Sequence, residues 1–149
     1  MDDIFNTHFS SIATSLHDSL PESAVSPASY VFPNPNMNSF FLSPTDPQEV
    51  KITIGKLKSK NSTSIDEISS KMTKLFPFKV VSIISYLINK SFSEGIFPSA
   101  YKLAKVVPIF KKGGDKTNFQ DYRPIRLLPA ISKVIEKIVH KCLNKFLHY

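Results

Sequence analysis

Three cations frame a glycine turn in the stretch KVVPIFKKGGDKTNFQDYRPIRLLP, residues 105–129. Lys111 and Lys112 close a β-rich apolar run, Val106 to Phe110, and Arg123 stands near the start of a second, Tyr122 to Leu128. Pro108 confines the first run to a sheet edge or a bulge. Arg123 precedes Pro124, which biases the arginine backbone toward an extended shape. An extended, edge-held guanidinium can grip phosphate through two parallel hydrogen bonds, which a lysine cannot reproduce. Such a hairpin suits a polyphosphate or a nucleic-acid backbone. A plain solvated hairpin shows the same spacing, and spacing alone weighs toward that plainer reading.

Other chemistries find little support. His8, His17, His140 and His148 have no metal-ligand spacing with the single cysteine, Cys142. Neither a glycine-rich phosphate motif nor a Gly-x-Ser-x-Gly nucleophile turn occurs. Acids are sparse in the basic part of the chain, and none pair as a two-metal site would require. The lone cysteine leaves no internal disulfide and points to a reducing, intracellular setting, nuclear or cytoplasmic. No apolar run nears the roughly 18 residues that span a bilayer, so no membrane partner is expected. The acidic, polar start MDDIFNTHFSS is not that of a secretory signal.

Charge is unevenly placed. Residues 1–50 hold six acids and no Lys or Arg, whereas residues 51–149 hold all 19 basic residues and six acids. The two parts carry −6 and +13, which sum to the formal +7. A basic surface of that size attracts polyanions, nucleic acid foremost.

The elements that must position the cations follow from periodicity and caps. Ile4, Phe5, Phe9, Ile12, Leu16 and Leu20 predict an amphipathic helix over residues 3–20. Residues 21–45 are rich in Pro, Ser and Asn and read as a linker, anchored by Phe40, Phe41 and Leu42. Asp46, Pro47 and Glu49 mark a helix start, with Val50, Ile54 and Leu57 on one face. A lysine-rich turn and a polar loop follow, then a short helix marked by Ile65, Ile68, Met72 and Leu75. Residues 78–94 form a buried helix stopped at Gly95, and residues 130–147 a last one with a wide apolar stripe. Its other face carries Lys133, Lys137, Lys141 and Lys145, four apart, either for solubility or to track phosphates. The fold class expected is α+β, mostly α, with a small antiparallel hairpin.

The ordered series SFSEGIFP, PIFKKGGDK and YRPIRLLPAISKVIEKI closely resembles the start of the reverse transcriptase domain of non-LTR, LINE-type retrotransposons, the jockey-like group nearest. The upstream stretch NSFFLSPTDPQEVKITIGKLKSKNSTSIDEISSKMTK and the opening FNTHFSSIATSL are also similar to family segments, so the likeness covers nearly the whole chain. It implies a right-hand polymerase fold. Residues 1–45 would be a helix and linker, and residues 46–149 an N-terminal extension and part of the fingers. It implies RNA, DNA and deoxynucleoside triphosphates as partners, and Mg2+ as cofactor of an intact parent enzyme, with none held by this chain. Carried over, Arg123 and either Lys111 or Lys112 would meet the triphosphate of the incoming nucleotide. Lys102, Lys105, Lys116, Arg126, Lys133, Lys137 and Lys141 are the remaining candidates for nucleic-acid contact.

Two departures stand out. Ser64 and Glu67 replace the glycines of a Gly-x-Asp-Gly loop around Asp66, and Arg126 replaces the serine of Arg-Pro-Ile-Ser. Further, the catalytic carboxylates of the palm, which hold two metal ions, lie beyond Tyr149 in such polymerases. Asp66, Asp115 and Asp121 are not substitutes by position. The chain alone is therefore expected to lack polymerase activity. A residual nucleic-acid-binding module, or a relic of a truncated element, is the alternative.

Overall fold

After residue 45, helices begin at a side-chain cap or directly after a proline, and one of them stops at a left-handed glycine. The computed structural model describes residues 2–21, 25, 26, 29 and 39–148. Its elements are α1 (Asp2–Ser19), α2 (Pro47–Gly55), α3 (Ser70–Thr73), α4 (Phe78–Glu94), β1 (Lys105–Phe110), β2 (Tyr122–Leu127) and α5 (Ala130–Leu147). Short 3-10 turns lie at Ser99–Tyr101 and Phe119–Asp121. The described residues are mostly helical, with β1 and β2 as an antiparallel pair, consistent with the α+β expectation. The chain divides into two units, Met1–Ser39 with Val106–Ile125, and Phe40–Lys105 with Arg126–Tyr149.

The second unit holds the main core. Asp46 accepts the Glu49 N–H at 2.8 Å and Pro47 occupies the first helical turn, so α2 starts as its sequence predicts. Val50, Ile54 and Leu57 then meet Val81, Ile84 and Ile88 of α4 and Ile131, Val134, Ile135 and Ile138 of α5. Phe76, Phe92, Phe97, Tyr101 and Val139 close the edges of this cluster. Gly95, left-handed at φ 66°, ends α4 as expected.

Three expectations need correction. The anchor before α2 is polar rather than aromatic. Phe41 is 78% exposed, Phe40 is 39% exposed with its ring 5.6 Å from that of Phe146, and Leu42 is half-buried. Thr45 does the anchoring: its N–H donates to Asn89 Oδ1, and its carbonyl accepts from Asn89 Nδ2, both at 2.8 Å, and from Ser85 Oγ at 3.0 Å. An amide side chain on a neighbouring helix thus completes a backbone that has no secondary structure of its own. The short helix after the lysine turn is a single turn, capped by Ser69, and Ile65, Met72 and Leu75 stay exposed. In α1 the helix forms, yet Ile12, Leu16 and Leu20 are exposed and only its first turns pack. The linker expected over residues 21–45 falls largely outside the described residues.

In the first unit, Phe5 of α1 meets Phe119 and Tyr122 edge-on, at 5.1 and 4.9 Å between ring centres. Phe110 stands 5.4 Å from Tyr122, and His8 and Phe9 extend the cluster. Aromatic rings make most of this small interior, where edge-on pairs are favoured.

Candidate functional site

The loop between β1 and β2 is a built structure. Gly114 N–H donates to the Lys111 carbonyl at 3.2 Å, and Gly113 between them has φ 90°, the positive value this turn demands. A Cβ on Gly114 would lie 2.5 Å from the Asp121 carboxyl carbon, so only glycine fits. Asp121 ties the loop shut: its carbonyl accepts the Lys111 N–H at 2.7 Å and its carboxylate accepts the Asp115 N–H at 2.8 Å. Asp115 accepts the Thr117 N–H at 2.9 Å, and its backbone and side-chain hydrogen bonds with Thr117 hold the carboxyl below its ordinary range. Asn118 repeats the device with the Gln120 N–H at 3.0 Å, and Tyr122 OH donates to the Lys116 carbonyl at 3.1 Å. The sequence signal for this was present and unread: Asp115 and Asn118 each stand two residues before the N–H they accept.

On this scaffold the four candidate cations differ. Lys111 is half-buried and its ammonium donates to the Gln120 carbonyl at 2.5 Å. Lys112 and Lys116 are exposed, with no side-chain partner among the described residues. Tyr122 points into the aromatic cluster, so Arg123, its neighbour on β2, leaves the strand from the opposite face and is exposed.

The other candidates fall in the second unit. Lys102 caps the Ser99–Tyr101 turn, Lys105 opens β1, and Arg126 lies one residue before the end of β2, all exposed. The lysines of α5 do not act alike. Lys133 and Lys137 line a groove with Lys56, Lys58 and Lys60. Lys141 instead forms an ion pair with Glu49 of α2. The Lys141 ammonium, then the Thr45 hydroxyl, donate to Glu49 and hold its carboxyl low, while Glu49 holds the Lys141 ammonium high.

The departure loop resolves into two different outcomes. Ser64 is buried and its hydroxyl donates to the Leu127 carbonyl at 2.5 Å. Glu67 has φ 56°, the one non-glycine positive φ among the described residues. Between them Asp66 accepts the Ile68 N–H at 3.2 Å. Burial, helped by the Asp66 charge, pushes the nearby Tyr101 phenol up. Among the described residues, no three His, Cys, Asp or Glu side chains converge as metal donors. No described helix is long and apolar enough to cross a membrane.

No family model matches the chain. Known proteins do. The chain is 31% identical over 127 residues to the RNA-directed DNA polymerase from mobile element jockey of Drosophila melanogaster, covering 85% of this chain and 14% of that protein. The jockey polymerase of Drosophila funebris is 31% identical over 107 residues, 70% of this chain and 11% of its own length. The probable RNA-directed DNA polymerase from transposon BS of Drosophila melanogaster is 26% identical over 138 residues, 93% of this chain and 14% of its own. The chain thus spans about one seventh of the length of these relatives or less.

Proposed function

The chain is a homologue of the RNA-directed DNA polymerases of non-LTR retrotransposons, and on that premise we propose that it is the fingers portion of such an enzyme, with its β-hairpin meeting the incoming nucleotide. In this reading Arg123 and Lys112 contact the triphosphate. Cations at a transferring phosphate neutralise the charge that builds during the reaction. Lys111 positions the loop. The observation that carries the reading is the contrast within the lysine pair: the Lys111 ammonium is tied to the Gln120 carbonyl, while Lys112 beside it is exposed and has no side-chain partner among the described residues. A parent polymerase would use Mg2+ at carboxylates. The described residues supply no converging donor set for it, so no step of the chemistry is assigned to them. These residues are proposed to bind substrate and to leave catalysis to a palm.

Binding of a fluorescent deoxynucleoside triphosphate and of its monophosphate, measured on the 149-residue chain, tests this. Lys112→Ala and Arg123→Ala should each weaken triphosphate binding about tenfold, roughly the worth of one charged hydrogen bond. Lys111→Ala should act mainly on thermal stability. Equal affinity for triphosphate and monophosphate, or equal loss in all three variants, would sink the reading.

A further inference from the structure

A lysine-lined groove lies in the Phe40–Lys105/Arg126–Tyr149 unit, and its lining includes no residue assigned to the nucleotide. Lys56, Lys58 and Lys60 from the turn after α2, and Lys133 and Lys137 from α5, line a groove of about 340 Å3. No acid lines it. Among the described residues no carboxylate comes within 4.0 Å of any of these five ammonium groups; the ion pairs present are made by His17, Lys90 and Lys141. Lysine ammonium groups without partners mildly repel each other when gathered, and an anion reverses that sign.

The groove is also preorganised. Ser70 Oγ donates to the Lys58 carbonyl at 2.7 Å and accepts the Lys60 N–H at 3.1 Å. Lys71 N–H donates to the Lys60 carbonyl at 3.4 Å. Leu57, 6% exposed, roots the turn in the core. Lys133 and Lys137 share one side of α5 by their spacing of four. The lysine turn is therefore held by specific bonds rather than left as a solvated tail. Leu57, Ile68, Leu128 and Ala130 give the groove apolar wall, against which a sugar or base can lie.

We infer that this groove binds closely spaced phosphates, carried either by consecutive nucleotides of a single strand or by a compact polyphosphate. The proposal rests on the polyanion reading above for its ligand class. It uses none of the hairpin cations, so each can fail without the other.

The test is anisotropy titration of the 149-residue chain with a labelled 15-nucleotide single-stranded RNA across a salt series. Lys58→Ala/Lys60→Ala/Lys137→Ala is compared with a charge-matched control, Lys74→Ala/Lys79→Ala/Lys145→Ala, and with Lys112→Ala/Arg123→Ala. All are first checked for wild-type melting temperature. The groove variant should bind at least tenfold more weakly than the control. Its slope of log affinity against log salt should fall by about 2, three single-strand contacts at ~0.7 each. Inorganic tripolyphosphate supplies the second arm. Displacement of the RNA by micromolar tripolyphosphate from wild type, and not from the groove variant, assigns the site to compact polyphosphate; its absence assigns the site to a strand. Should the groove variant and the control lose affinity equally, only net charge matters and the site is refuted. Should a groove variant with a lowered melting temperature be the only one to weaken, single Lys60→Gln and Lys137→Gln replace it, and unchanged slopes there refute the site.

Discussion

Two neighbours in the Ser64–Glu67 loop answer the same loss of glycine in opposite ways. Ser64 uses its side chain, burying a hydroxyl against the Leu127 carbonyl. Glu67 only bears the strain of a left-handed backbone. Glu67→Gly is therefore expected to stabilise the fold by about 1 kcal/mol, the usual penalty of that conformation for a residue with a Cβ. Ser64→Gly is expected to cost about 1–2 kcal/mol, because a half-buried carbonyl loses its donor. Urea titrations of both variants check the pair, and a same-sign change in both would contradict this account. The sequence marked both positions as departures from a resembled motif. It did not separate them, because a hydroxyl's partner 63 residues away is invisible in a local pattern.

Glu49 gives the residue scale its pH dependence. The Lys141 and Thr45 donors hold its carboxyl below the ordinary 4.5. A lowered acid stabilises the fold above its unfolded pKa and ceases to do so as pH falls through the folded one. The contribution should be complete above about pH 4.5 and fade below it. Lys141 is raised, so its share persists below the ordinary 10.5 and fades only at more alkaline pH. Glu49→Gln should flatten the acid limb of a stability-against-pH curve by less than about 1 kcal/mol, since the pair is partly exposed.

At the scale of elements, caps and periodicity located most of the fold. Asp46 and Pro47 set α2, Gly95 ended α4, and the stripe of α5 buried Ile131, Val134, Ile135 and Ile138 as spaced. Periodicity failed where an apolar pattern had too little partner surface. Met72 and Leu75 had the spacing of a helix, but only Ser70–Thr73 became one. It was silent where polar side chains complete irregular backbone, as Asn89 does for Thr45 and Asp121 for the hairpin loop. Asn89→Ala strands the Thr45 N–H and leaves the Thr45 carbonyl to Ser85 alone, so it should cost about 1–3 kcal/mol, read from chemical denaturation. Asn89→Asp keeps an acceptor and loses the donor, so it should fall between.

Considered as a whole molecule, the chain leaves much apolar surface in water. Ile83, Tyr86 and Leu87 of α4 are 60, 66 and 44% exposed, and Leu147 of α5 is 65% exposed. Concentrated apolar exposure marks a surface that associates. The isolated chain should bind an apolar dye, and Ile83→Lys/Tyr86→Lys should reduce that binding without lowering the melting temperature by more than a few degrees. A monomer that binds no dye would count against it.

The division of the chain has a further consequence for how it can be taken apart. The Val106–Ile125 segment belongs to one unit, yet it interrupts the other between Lys105 and Arg126. Those two residues sit at the open end of an antiparallel pair, where strands are close enough for a two-residue reverse turn to join them. The interruption is thus a detachable graft on its host. A shortened chain, Phe40 to Tyr149 with residues 106–125 exchanged for Asn-Gly, should melt in one transition and keep the groove's affinity for phosphates while losing the hairpin's. Such a chain would let the two proposed anion sites be weighed in separate molecules.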